Sequence, residues 1–357
     1  MTVIPPGSTI GIFGGGQLGR MTALAAAAMG YDTHIYCPVA DSPAFHVSRH
    51  QTEAPYDDEK ALEAFAKNVD VVTFEFENVP ASALELLNQY VPVRPKRDIL
   101  QISQNRIREK TFAQSCGVPT APFIEVHNLQ SAVEKIGRPC VLKTAELGYD
   151  GKGQILIHGE PADISISSPS ILEAFVPFKT EVSSIVARGF DGSMVAFPTV
   201  ENVHKEGILR TTYAPARVEE SIAKEAEQLT KRLAEKLDLN GLLAVEYFVT
   251  QDGELLFNEM APRSHNSGHW TLDGCATSQF EQHVRAICGL PLGLTHIHTP
   301  TVMENLLGED CLQWQQFLQN PEAKLHLYGK NQVVSGRKMG HVNCSQHSMA
   351  HTNGKTK

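Results

Sequence analysis

Long apolar runs are missing from this 357-residue chain. Met1 to Ile10 has neither a basic start nor the apolar stretch of a secretory signal, and the Ala-rich run Ala23 to Ala28 is too short to span a bilayer. Secretion and membrane insertion are not expected, and a cytoplasmic location is. Cysteine is sparse and unpatterned: the seven, at 37, 116, 140, 275, 288, 311 and 344, are odd in number and never spaced Cys-x-x-Cys, so no zinc ribbon or disulfide framework is readable. Positive charge is also short. Thirty-one Lys and Arg against 40 Asp and Glu give a formal charge of −9, which argues against nucleic-acid or anionic-membrane partners and leaves any anionic ligand to a local site. Two familiar signatures are absent as well. The glycine-rich loop Glu146 to Gln154 lacks the Gly-Lys-Ser/Thr of a Walker loop, and no nucleophile elbow surrounds Ser264. His265-x-x-x-His269 lacks the third ligand and the Glu of a zinc protease.

What remains is an ordinary globular composition, 42% hydrophobic and 20% charged, long enough for two or three domains of roughly 150 residues each. Thr9 to Phe13 reads as a strand, Gly14-Gly15-Gly16 as a turn and Gln17 to Met29 as a helix. Strands at Thr33 to Tyr36 and Val69 to Phe76 alternate with a helix at Asp58 to Lys67, the pattern of a parallel sheet. One helix is expected from about Ile99 to Cys116. From Pro119 the chain changes to strand pairs with glycine turns. These are Cys140 to Thr144 with Gln154 to His158, Ser170 to Phe175 with Glu181 to Ala187, and then Met194 to Thr199. A helix at Ser221 to Leu237 precedes one more strand pair. The expected architecture is α/β and α+β multidomain: an N-terminal Rossmann-like parallel-sheet domain at 1–104, a central α+β domain at 105–295, and a small C-terminal β-rich domain at 296–357 whose end, from His341, is a loose polar tail.

Several motifs carry chemistry. Gly14-x-Gly16-x-x-Gly19 has the spacing that lets a phosphate approach a helix N-terminus, though tight strand-to-helix packing alone would also use it. The second strand ends in Cys37-Pro38 without the acidic residue that holds a dinucleotide ribose, which weakens an NAD-dependent dehydrogenase reading. Glu75-x-Glu77 closes the third strand at the end where open sheets bind ligands, and strict alternation would aim both carboxylates one way; a solvated strand end is the plain alternative. Glu146 to Gln154 is a glycine-rich loop able to fold over phosphates, or simply a hairpin. If Asp252-Gly253 is a two-residue hairpin turn, Glu246 faces Glu259 across the strand pair Leu243 to Thr250 and Glu254 to Met260. Two charges ~5 Å apart repel by roughly 3 kcal/mol at an effective dielectric of 20, so a cation belongs between them: magnesium with phosphates, a neighbouring Lys or Arg, or a proton. Arg106, Lys110, Lys330, Arg337 and Lys338 are phosphate-compatible cations, each of which is also an ordinary surface charge.

The order of these motifs resembles the ATP-grasp superfamily, in which ATP lies between two α+β lobes. More narrowly, it resembles the 5-(carboxyamino)imidazole ribonucleotide synthase family (phosphoribosylaminoimidazole carboxylase ATPase subunit). The segments that carry the resemblance are Gly14-Gly-Gly-Gln-Leu-Gly-Arg-Met21, Thr73-Phe-Glu-Phe-Glu-Asn78, Gly148-Tyr-Asp-Gly-Lys-Gly-Gln154, Asn258-Glu-Met-Ala-Pro-Arg263 with His265-Asn-Ser-Gly-His269, and Tyr328-Gly-Lys330 with Gly336-Arg-Lys-Met-Gly-His341. The resemblance implies a ligase of purine biosynthesis that uses ATP to convert bicarbonate to carboxyphosphate. The carboxyl group, directly or as released CO2, is then captured by the exocyclic amine of aminoimidazole ribonucleotide, with release of ADP and phosphate. It also implies magnesium, for which manganese can substitute, and a homodimer.

Carried over by motif, the ATP-binding set would be Arg106, Lys143, the loop Gly148, Asp150, Gly151, Lys152, Gly153 and Gln154, the adenine-reading segment Glu173, Ala174, Phe175 and Val176, then Glu181, His204, Asn258 and Glu259. Glu246 and Glu259 would hold the metal; Ala261 stands where many relatives have an Asn ligand. The ribonucleotide would meet Gln17, Leu18, Glu77, His265, Asn266, Lys330, Arg337 and Lys338, and catalysis would draw on Tyr149, Asp150, Arg263 and Lys330, with Asp150 as proton acceptor. Two rivals stand beside this reading: a formate-dependent glycinamide ribonucleotide transformylase-like enzyme, and a nucleotide-binding regulatory protein without turnover.

Overall fold

The structure, a computed structural model, describes residues 3–148, 153–161, 164–166 and 168–347. The expected site residues Tyr149, Asp150, Gly151 and Lys152 lie outside the described residues, as does the chain beyond 347.

In the first domain β1 (Thr9–Phe13), β2 (Asp32–Tyr36), β3 (His50–Thr52) and β4 (Val71–Phe74) lie parallel in the order β3-β2-β1-β4. Ile10 to Phe13 are all buried because helices cover both faces of the sheet, the condition under which parallel sheets are stable. α1 (Gln17–Ala28) packs Ala23 and Ala26 on one face, while α2 (Glu59–Ala66) and α3 (Ala81–Leu87) pack Leu62, Phe65 and Leu84 on the other. Asp58 caps α2 by accepting the Ala61 N–H.

The single helix expected at 99–116 is two helices, α4 (Arg97–Ser103) and α5 (Arg106–Ser115). Asn105 causes the break: its side-chain oxygen accepts from the Ile107 and Arg108 amides at 3.1 Å each, the alternative to helix continuation that Asn offers. α5 then packs on the strand that carries Glu259.

Beyond it, β5 (Phe123–Glu125), β6 (Cys140–Thr144), β7 (Gln154–Ile157) and β8 (Ser170–Ala174) form an antiparallel sheet in the order β5-β8-β6-β7, covered by α6 (Leu129–Ile136). The rest of the chain builds one antiparallel sheet. Its strands are β9 (Thr180–Arg188), β10 (Met194–Ala196), β11 (Val200–Lys205), β12 (Ile208–Ala214), β13 (Gly241–Val249), β14 (Leu255–Ala261), β15 (Thr301–Leu307), β16 (Lys324–Leu327) and β17 (Lys338–Ser345), ordered β14-β13-β9-β11-β12-β15-β17-β16 with β10 on β9. α7 (Glu220–Lys236) lays Ala226, Leu229 and Leu233 over Val245, Tyr247 and Phe257. α8 (Thr271–Gly274) and α9 (Gln279–Cys288) follow β14.

The expected C-terminal strands are present, and β15 pairs with β12, so that they extend the central sheet. One expectation needs correction: the loose tail from His341 is, as far as Ser345, a strand paired with β15, and as far as Asn343 it is paired with β16 as well. Its polar residues misled the reading: His341 and Asn343 are buried because they are hydrogen-bonded, His341 Nδ1 to the Tyr328 hydroxyl at 2.8 Å and Asn343 Nδ2 to Asp273 at 2.7 Å. All seven cysteines are free, and no helix among the described residues is long and apolar enough to cross a membrane.

The first domain docks on α9 through Val284, Ile287 and Cys288, and His283 Nε2 meets Thr73 Oγ1 there at 2.8 Å. Burial lowers the His283 pKa from 6.5 to about 4, and burial followed by the field of His50 does the same to His34. Above about pH 6.5 both folded and unfolded chains carry these rings neutral. Between about 6.5 and 4 the unfolded chain takes up protons that the native state refuses, so stability falls, by at most roughly 3 kcal/mol per ring. His283→Gln, which keeps a hydrogen bond to Thr73 in reach, should flatten the loss of urea-unfolding stability over that interval and leave the slope above pH 7 unchanged.

Candidate active site

The acidic pair depends on how the β13–β14 hairpin closes. The Thr250 amide donates to the Glu254 carbonyl at 2.9 Å and the Gly253 amide to the Thr250 carbonyl at 3.1 Å, so Gln251, Asp252 and Gly253 make a three-residue turn with Gly253 at φ +86°. The two-residue turn expected from Asp252-Gly253 is thereby corrected. Near the turn Val249 faces Leu255 and Tyr247 faces Phe257; continued unchanged, that register would send Glu259 to the buried face. A bulge at Asn258 inserts one residue, and Glu246 does face Glu259. Asn258 and Glu259 then both border the cleft, while Met260 returns to the core.

The two carboxylates are not equally compensated. Arg106 Nη1 lies 3.1 Å from Glu259 Oε2, and although burial works against ionisation, Arg106 and Lys143 hold the Glu259 pKa below its ordinary value. Glu246 is pushed up to about 8, first by burial and then by Glu259. Its neighbour His265, with Nε2 3.7 Å from Glu246 Oε1, is held neutral by burial and by the charges of Arg263 and Lys338. His204 pairs with Glu181; burial opposes its charge, but Glu181 and the acidic pair raise its pKa. The site thus offers two hard carboxylates, one of them short of positive charge. Among the described residues no third His, Cys, Asp or Glu completes a protein-only metal cage. Two carboxylates plus ligand phosphates is the donor set magnesium accepts, so these residues suit that ion.

Two cavities meet at this pair. The larger, of about 590 Å³, is bordered by Val141, Lys143, Gln154, Leu156, Glu173 to Val176, Phe178, Glu181, His204, Leu209, Phe248 and Asn258. Its apolar side is built from Val141, Leu156, Leu209 and Phe248 of four strands and from Phe178 of the β8–β9 connection, whose ring stacks on that of Phe248 with centroids 4.7 Å apart. Glu173 does more than present its backbone: its buried carboxylate binds Lys143 Nζ at 3.0 Å and Lys110 Nζ at 3.3 Å. Those cations hold its pKa down against the cost of burial.

The smaller cavity, of about 410 Å³, is bordered by Gly16, Gln17, Leu18, Glu75 to Asn78, Gly148 and Arg263, and it shares Arg106, Glu246, Glu259, His265, Asn266 and Lys338 with the first. The glycine turn there is not an open phosphate site. The Glu75 carboxylate accepts the Gly16 and Gly19 amides, the latter at 2.8 Å, and a Cβ at Gly16 would sit 2.6 Å from Glu75 Oε1. The Glu75 carboxyl group, whose pKa burial raises, has taken the positive end of α1. Nor do Glu75 and Glu77 act alike: β4 ends at Phe74, and Glu77 turns instead to Arg263, whose Nη2 approaches its two oxygens at 2.6 and 2.8 Å. The Asn266 amide, nearly buried at the junction, has neither side-chain atom hydrogen-bonded. Lys330 donates to the Lys338 carbonyl at 2.6 Å and borders neither cavity; Arg337 is exposed and borders neither as well.

Sequence alone does not single out Phe178, Leu209 and Phe248, apolar residues that read as core until two lobes bring them face to face, nor Glu109, whose carboxylate on α5 reads as an ordinary helix charge.

Comparison with known proteins gives a consistent account. Residues 7–104 match the ribonucleotide synthetase preATP-grasp domain, 111–280 the ATP-grasp domain and 301–355 the phosphoribosylaminoimidazole carboxylase C-terminal domain. The chain is 48% identical to the N5-carboxyaminoimidazole ribonucleotide synthase of Brucella melitensis, over 96% of this chain and 97% of that protein. It is also 46% identical, over 95% of its length, to the bifunctional purine synthesis protein purC/E of Dictyostelium discoideum, of which it spans 37%. A crystal structure of an ADP complex of N5-carboxyaminoimidazole ribonucleotide synthetase superposes with a TM-score of 0.95 at 43% identity, covering 99% of this chain and 98% of that one. The Aspergillus clavatus N5-carboxyaminoimidazole synthase, solved with ADP and 5-aminoimidazole ribonucleotide, superposes with a TM-score of 0.91 at 31% identity, covering 97% and 96%.

Glu246→Gln tests the uneven compensation directly. The unfolded chain ionises this group near pH 4.5 and the native state only near pH 8, so charge at Glu246 weakens the metal-free fold progressively across that interval. The variant should melt a few degrees higher than the parent at pH 8–9, with the advantage vanishing toward pH 4 in a calorimetric series.

Proposed function

The chain belongs to the N5-carboxyaminoimidazole ribonucleotide synthase family of ATP-grasp ligases, and we propose that the junction of its two cavities, at Glu246 and Glu259, is where ATP, bicarbonate and aminoimidazole ribonucleotide react. That junction carries the assignment of sites: there a partly apolar, nucleotide-sized slot and a polar cavity share the acidic and basic walls Arg106, Glu246, Glu259 and Lys338.

In this reading adenine enters the slot between Val141, Leu156, Phe178 and Phe248 and meets the backbone of Glu173 to Val176, while Glu181 accepts from the ribose hydroxyls. Lys143 and Arg106 take the phosphates, with Asn258 and His204 beside them. Glu246 and Glu259 would hold magnesium, which when bound would supply charge neutralisation for the transferring phosphoryl group. Bicarbonate attacks the terminal phosphorus, ADP departs, and carboxyphosphate forms next to Arg263, His265 and Asn266. The exocyclic amine of the ribonucleotide captures the carboxyl group as phosphate leaves, and the amine's proton passes to a base, assigned to Asp150. Lys338, which borders both cavities, receives the ribonucleotide phosphate, Lys330 and Arg337 add positive charge from outside the cavity walls, and Gln17, Leu18 and Glu77 line the other end. To Tyr149 and the Gly148 to Gln154 segment we assign the exclusion of water from a labile acyl phosphate. The Glu77–Arg263 pair orients the guanidinium before substrate arrives. A homodimer in the cytoplasm belongs to the same reading, and light scattering of the purified protein checks its assembly.

ADP release should depend jointly on aminoimidazole ribonucleotide and bicarbonate. Release stimulated instead by formate and glycinamide ribonucleotide would replace this reaction with the formyl-transfer one, and no release with any of these would indicate a binding protein. Glu259→Gln should lower kcat by about a hundredfold or more while leaving the far-ultraviolet spectrum unchanged. Arg337→Ala should raise KM for the ribonucleotide without moving KM for ATP.

A further inference from the structure

The bulge that aims Glu259 at the cleft is gripped from outside the sheet. β14 is an edge strand, so its outward peptide groups need partners from elsewhere. The two groups flanking Glu259, the Asn258 carbonyl and the Met260 amide, are both met by consecutive side chains of α5. Lys110 Nζ donates to the Asn258 carbonyl at 3.1 Å, and Glu109 Oε1 accepts the Met260 amide. Both side chains are buried, Lys110 completely, and Lys110 borders neither cavity. Burying a full acid and a full base in one helix turn is costly unless each is hydrogen-bonded, and here the backbone on either side of one residue supplies those bonds. Lys110 also binds Glu173 at the end of β8, so a single ammonium spans the strand bordering the nucleotide slot and the bulge of the other lobe.

We propose that Glu109 and Lys110 are positioning residues for the metal ligand Glu259, holding the Asn258 bulge so that its carboxylate stays opposite Glu246; this rests on the magnesium reading above. An ordinary strand at this place would follow the turn's own register and carry Glu259 to the buried face. Partners that orient a metal ligand typically change metal affinity by about 10–100-fold when removed.

Calorimetric titration of ADP into the full chain, with EDTA and with magnesium, separates the roles without assaying turnover. In the parent, magnesium should tighten ADP binding; if it does not, the metal reading itself falls and this inference with it. In Glu109→Ala the EDTA affinity should match the parent while the magnesium-dependent tightening shrinks by about tenfold or more, and Glu109→Gln, whose carbonyl oxygen still accepts the Met260 amide, should restore it. Full tightening in Glu109→Ala, or equal loss in Glu109→Gln, would overturn the assignment. Should Glu109→Ala fail to fold, Lys110→Met decides: lost tightening supports the clamp, and retained tightening refutes it.

Discussion

Two carboxylates forced together across a hairpin organise this molecule. Glu246 and Glu259 are direct cross-strand partners, and only Glu259 has an arginine against it. Burial and the nearness of Glu259 raise the Glu246 pKa to about 8, so in the ligand-free protein a proton relieves the repulsion that a divalent ion would relieve on binding. Around that pair the basic residues divide their work. Arg106 neutralises Glu259, Lys143 and Lys110 neutralise Glu173, and Arg263 neutralises Glu77. Glu246 is left with the neutral imidazole of His265 at 3.7 Å and with the fields of His204 and Lys338, which do not offset its burial.

The junction exists only because separate parts of the chain converge on it. The first domain contributes Gly16 to Leu18 and Glu75 to Asn78, and it is locked to the rest by Thr73 with His283 and by Glu77 with Arg263. The glycine turn takes part indirectly. With Glu75 satisfying its amides, the positive end of α1 is spent within the protein, and the turn serves to hold Gln17 and Leu18 at the cavity wall. The C-terminal strands bring Lys338 to both cavities by extending the central sheet through β15, which ties the last segment of the fold to the reacting centre.

Much of this was legible from residues alone, though not always for the right reason. The pairing of Glu246 with Glu259 followed from counting outward from Asp252-Gly253. The actual turn is one residue longer, and the bulge at Asn258 restores the count. Hairpin propensity reveals a turn but not a bulge, which here is held by side chains of α5, about 150 positions earlier in the chain. The glycine motif was readable as a strand-to-helix turn, whereas its partner, Glu75, depended on β4 ending at Phe74. β17 escaped notice because His341 and Asn343 look exposed to any reading by polarity, and only their hydrogen bonds make burial tolerable.

By itself, the sequence determined the local matters: the alternation of strands and helices, the glycine turns, the supply of acidic and basic groups, and the motif order that places the chain in its family. These follow from periodicities and backbone preferences that act over a few residues. Only the tertiary structure decided which charge answers which, because the decisive pairs join positions 153 apart for Arg106 with Glu259, 186 for Arg263 with Glu77 and 210 for Thr73 with His283. Coulomb energy and desolvation depend on distance and burial, and a linear chain specifies neither until it has folded.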